Sequence, residues 1–122
     1  MIKEECDGHR HFKLTDLWKL DENKFRQLKF RVRDNVAIKE NAGDIFIVNK
    51  NDEPLGQYCK GSPEVFFLSH IKQGLGIHLI SMNFSSEYKL PIDEGFQRVR
   101  EIALQFVQQG ICIPANDVHY EP

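Results

Sequence analysis

The segment from Asp93 to Gly110 limits the possible folds more than any other part of the chain. Phe96, Val99, Ile102, Ala103, Phe106 and Val107 recur at steps of three and four, which places them on one face of a helix. Gln97, Arg98, Glu101, Gln105, Gln108 and Gln109 fall on the opposite arc. Asp93 is predicted as the N-cap, Glu94 favours the positive end of the helix dipole, and Gly110 suits the left-handed residue that closes a helix. The pattern predicts a helix over 94–109. Its apolar arc, with Leu104 at the edge, covers about half the circumference, more than one buried surface requires. A symmetric homodimer is therefore expected. Arg100 falls inside the arc, either with its stem along apolar neighbours and its head in water, or as a charged contact at an interface.

Such a helix needs a second layer to cover it. With 122 residues the chain suits one domain, able to bury about two-thirds of its unfolded surface without disulfides or metal. A net charge of −2 argues against a whole-molecule footprint for nucleic acid or an anionic membrane. The basic residues are uneven, however, with 12 of the 16 falling before residue 61. The cysteines Cys6, Cys59 and Cys112 are odd in number and far apart, which fits a reducing, cytoplasmic compartment. The sequence has no apolar run of membrane-spanning length and no apolar signal core near Met1. Residues 1–12 and 115–122 are expected to be flexible ends.

Between these ends the pattern changes period several times. Thr15 and Asp21 are N-cap candidates for one or two short helices before Leu28. Leu28, Phe30 and Val32 then alternate with Lys29, Arg31 and Arg33, which predicts a strand. A helix running from Asp21 to Gly43 is the competing reading. Lys29, Arg31 and Arg33 would line the strand's other face, with Lys24 and Arg26 just upstream. That face is either a solvated edge or a contact for phosphate or an acidic partner. It carries no aromatic residue, which argues against base stacking. Ile45–Val48 reads as a strand covered on both faces, followed by a turn over 49–54 and a return strand over 55–58. Ser62-Pro63-Glu64 is a helix start and Gly74 a helix stop, although Val65, Phe66 and Phe67 also suit a strand. Alternation over 76–84 predicts a strand that sets His78 on one face with Ile80, Met82 and Phe84. Residues 85–92 read as a polar loop closed by Pro91, and Ile111–Ile113 as a last short strand. The fold expected is α+β: a mixed or antiparallel sheet of three to five strands with the 94–109 helix packed on it.

No motif fixes a reaction. Cys6, His9 and His11 are zinc-ligand types, but nothing nominates a fourth ligand, so a solvated segment without metal is expected. His78, or His70, is a hydrogen-bonded core histidine or a pocket imidazole. Cys59 has no motif that would pair it with either as a nucleophile. The acids fall mostly at caps and turns. The reading is a small cytoplasmic protein-binding domain of inhibitor, immunity or accessory type, without catalytic activity or cofactor. Lys24, Arg26, Lys29, Arg31, Arg33 and Arg100 are its candidate contact residues. The alternatives are a small enzyme or ligand-binding domain using His78 or His70, and a nucleic-acid-associated protein using residues 24–33.

Overall fold

The computed structural model describes residues 14–115; the Cys6–His11 cluster and residues 116–122 lie outside them. A 3-10 turn over Leu14–Lys19 leads to α1 (Glu22–Arg26) and β1 (Phe30–Val32). An antiparallel meander follows: β2 (Val36–Asn41), β3 (Asp44–Asn49) and β4 (Pro54–Cys59). Three helices come next, α2 (Pro63–Lys72), α3 (Ile77–Tyr88) and α4 (Ile92–Gln108), and β5 (Cys112–Pro114) returns to pair antiparallel with β1. The class is α+β, with five strands in two sheets among the described residues and the long C-terminal helix in the core.

Local chemistry accounts for most boundaries. The Asp21 carboxylate accepts from the Lys24 amide at 2.8 Å, so α1 starts one residue later. Ser62 caps α2, accepting from the Val65 amide at 3.3 Å, with Pro63 in the first turn. Gly74 takes φ +83° where that helix stops. The alternation holds over 28–32, where Leu28 and Phe30 are buried, Val32 is half-buried, and Lys29 and Arg31 are exposed, but not at Arg33, which is half-buried. The competing helix from Asp21 to Gly43 is excluded.

Four expectations need correction. Residues 36–41, given no strand by the sequence reading, form β2. Asn41-Ala42-Gly43-Asp44 turns the chain with positive φ at both Ala42 and Gly43, the two-residue hairpin geometry that matches strand twist. The run 45–48 is covered on one face only. Ile45 and Ile47 enter the core, while Phe46 and Val48 point the other way and stay half-buried. Residues 77–84 are helical, only Gly76 before them being extended, and α3 continues to Tyr88, so the expected loop at 85–92 shrinks to Lys89-Leu90-Pro91. The α4 N-cap is Pro91, which places Asp93 and Glu94 in the first turn, where they still face the positive end of the helix dipole.

The reason for the third correction is the contact between α3 and α4. The buried side of α3 reads Ile77, Ile80, Ser81, Phe84 and Ser85, a helical stripe in which two members are serines. The Ser81 hydroxyl donates to the Ile77 carbonyl at 2.7 Å and the Ser85 hydroxyl to the Pro91 carbonyl at 3.2 Å, so neither is buried unsatisfied. Against them lies Gly95, where an added Cβ would sit 1.9 Å from Ser85 Oγ and 3.3 Å from the Ser81 carbonyl oxygen. Small residues let the two backbones approach closely. The α4 arc is consumed within the chain: Phe96, Val99, Ile102, Ala103, Phe106 and Val107 are all buried. This removes the breadth of the arc as a ground for a dimer. Replacing Gly95 with alanine is expected to lower stability by about 1–3 kcal/mol, the usual cost of overpacking. Adding Ser85→Ala should restore part of the loss. Urea denaturation of both variants checks this, and a Gly95→Ala protein as stable as the parent would contradict the close approach.

Candidate functional site

The three-stranded sheet has β3 at its centre and β2 and β4 at its edges. Among the described residues β2 and β4 each pair only with β3. The two-residue turn makes Asn41 and Asp44 the first bonded pair, so Lys39–Phe46 and Ala37–Val48 are the next. The backbone groups of Ile38 and Glu40 therefore point outward from β2. By the same alternation Ile45–Tyr58 and Ile47–Gly56 are bonded across β3 and β4, leaving those of Gln57 and Cys59 outward from β4, where the Cys59 carbonyl already accepts from the Ser62 amide at 3.0 Å. Unpaired ladder groups of this kind are a ready template for an added strand.

Each edge runs beside a helix. On the β4 side, the Tyr58 ring folds back over Gly56, where a Cβ would lie 2.9 Å from the ring. It meets Phe106 edge-on at 5.6 Å, and its hydroxyl donates to Gln109 Oε1 at 3.0 Å. Gln105 Nε2 donates to the same hydroxyl at 3.3 Å. On the β2 side, a cleft of about 200 Å³ opens between sheet and α2, walled by Ile38, Glu40 and Ile45 on one side and by Val65, Leu68 and Lys72 on the other.

The structure divides the basic residues predicted as contacts. Arg26 pairs with Glu22 at 2.8 Å and lies 4.1 Å over the Phe96 ring, with Asp93 at 3.7 Å. Arg100 donates to the Leu20 carbonyl at 2.9 Å and sits 5.0 Å from the Phe25 ring centre. These two cations bracket the Phe25–Phe96 contact and tie the N-terminal elements to α4. Lys29 and Arg31 share the solvent side of β1, where Arg31 pairs with Asp34 at 3.2 Å. Lys24 is exposed on α1, and Arg33 is half-buried, its amide donating to the Ile111 carbonyl at 2.9 Å.

The histidines stand apart. His78 is exposed on the first turn of α3, away from the apolar face the strand reading gave it. His70 stacks on Phe66 at 4.1 Å, and its Nδ1 lies 2.8 Å from the Phe66 carbonyl oxygen, a bond in which the nitrogen must donate. Among the described residues no group of three histidines, cysteines or acids could hold a metal. No described helix is long and apolar enough to cross a membrane.

Cys59 and Cys112 are both unpaired thiols in contrasting settings. Cys59 is exposed on β4; Cys112 is fully buried, and burial pushes its thiol up to about 12. A raised folded-state value leaves stability intact below the ordinary thiol range and erodes it above, where the unfolded thiol ionises and the folded one does not. Peptide-resolved alkylation at pH 8 should label Cys59 and spare Cys112 until the protein is unfolded. The stabilising contribution of Cys112 should disappear as pH rises from about 9 toward 12. Equal labelling of both thiols in the native protein would contradict this burial.

No known protein family matches the chain, and no curated protein matches it. One solved structure is similar in fold: lasso peptide synthetase B1 complexed with the leader peptide. The TM-score is 0.60 at 11% sequence identity, over 70% of this chain and 99% of that one. At that identity the likeness concerns the fold alone.

Proposed function

We propose that this protein is a non-catalytic binding module that captures an extended segment of a partner polypeptide as an added strand on its three-stranded sheet. The carrying observation is the pair of unpaired outer strands, each set beside a helix. Strand addition draws affinity from main-chain hydrogen bonds and specificity from alternate side chains entering a groove. The similar structure contains a leader peptide, which supports a peptide as the class of partner. An inhibitor, immunity or accessory role would each use such capture, and the unpaired thiols suit a reducing, cytoplasmic setting.

The ribbon cations Lys29 and Arg31 and the exposed pair Leu79 and Met82 on α3 then lie outside the docking surface. Panning a random twelve-residue peptide library on the immobilised protein should enrich ligands that shift the backbone amides of β2 or β4 in nuclear magnetic resonance titrations. Failure to enrich anything over unfolded protein, or shifts confined to α3 around Leu79 and Met82, would contradict the reading.

A further inference from the structure

Of the two open edges, β2 carries the features of a site with a definable occupant. Its outward backbone groups belong to Ile38 and Glu40, and these same residues line the cleft against α2. A strand laid along β2 would therefore set its inward side chains, spaced two residues apart, beside Ile38 and Glu40. Edge strands are often blunted by lysine and other charges, and β2 has Lys39 and Glu40. Both heads are drawn back across the sheet: Lys39 Nζ pairs with Asp52 in the β3–β4 turn at 3.1 Å, and Glu40 pairs with Lys60 beyond β4. Neither covers the edge.

The chemistry of the cleft is equally defined. Ile38, Ile45, Val65 and Leu68 form the apolar part of its walls and Glu40, Ser69 and Lys72 the polar part, and about 200 Å³ admits one side chain of leucine size. Glu40 is paired with Lys60 at the surface. Lys72 is exposed on the last turn of α2 and has no carboxylate partner among the described residues. The site thus carries one uncompensated positive charge beside an apolar slot.

Resting on the peptide-binding reading above, we infer that β2 and this cleft take an extended acidic segment. It exchanges backbone hydrogen bonds with Ile38 and Glu40, seats an apolar side chain in the cleft, and places a carboxylate two residues away on the same face, toward Lys72.

Two synthetic seven-residue peptides with blocked ends test this. One reads Thr-Glu-Thr-Leu-Thr-Glu-Thr, acidic on both sides of the leucine so that strand direction does not matter; the other has lysine in place of each glutamate. In an amide-resolved titration the acidic peptide should shift Ile38 and Glu40 and bind about fivefold more tightly than the lysine peptide, the scale of one exposed ion pair. Lys72→Glu, at an exposed position, should reverse that preference without unfolding the protein. Shifts at Gln57 and Cys59 in place of Ile38 and Glu40 would overturn the β2 assignment while leaving peptide capture standing. Equal binding of the two peptides, or a preference unmoved by Lys72→Glu, would overturn the acidic specificity. Shifts of Ile38 and Glu40 with protein concentration alone would give this edge to a second copy and overturn the inference. Silence at both edges toward both of these peptides and toward library-selected ligands would remove both readings together.

Discussion

Everything in this fold hangs on a continuous line of aromatic rings. Phe96 meets Phe25 edge-on at 6.2 Å, Phe25 meets Phe30 at 5.9 Å, Phe30 meets Phe67 at 6.4 Å, and Phe67 meets Phe106 at 5.7 Å. Phe106 then reaches Tyr58 on the sheet. The line starts near the N-terminus of α4, passes through α1, β1 and α2, and returns to α4 before ending on β4. Arg26 and Arg100 clamp its first members with cation–π contacts. Each ring buries a large apolar area and gains a further increment from its geometry. A second cluster of Phe66, Phe84, Tyr88 and His70 fixes α2 against α3. Loss of one interior ring, as in Phe67→Ala, would cost about 3–5 kcal/mol, a large part of the stability of a domain this size.

The same arrangement decides what the molecule offers its surroundings. The helices satisfy one face of the β2–β4 sheet, through Ile45, Ile47 and Tyr58. The β1–β5 ribbon is a separate sheet and extends neither outer strand. A small meander packed on a helical core, with no further strand on either edge among the described residues, is well prepared for strand addition, because little order has to be gained on binding.

How much of this was legible depended on whether the apolar code was written in apolar residues. In α4 every buried position but Gly95 is hydrophobic, so the period of 3.6 was plain, and Gly110 closed the helix at φ +79° as expected. In α3 two buried positions are Ser81 and Ser85, whose hydroxyls are satisfied by carbonyls. Read as polar, they broke the helical stripe and left an alternation of His78, Ile80, Met82 and Phe84 that imitated a strand. The signal that could have corrected it was Gly95, a glycine inside a strong helix that needs a small-residue partner. In β2 only Val36 and Ile38 face inward before Glu40, too short a pattern to stand out, although the Asn41–Asp44 turn marked its end. Lys29 and Arg31 are exposed as the alternation implies, whereas Arg33 is half-buried and Arg26 lies over the Phe96 ring, so proximity in sequence concealed separate surroundings. Sheet edges and the Lys72 cleft arise from contacts distant in sequence, and no local pattern announces them.

The most direct test of this account is amide hydrogen exchange along β2 in the free protein. Unpaired edges require the Ile38 and Glu40 amides to exchange rapidly while those of Ala37, Lys39 and Asn41, bonded to β3, are protected. That alternation is the predicted result. Uniform protection across 37–41 would mean that the edge is already covered, and would contradict the open-edge account.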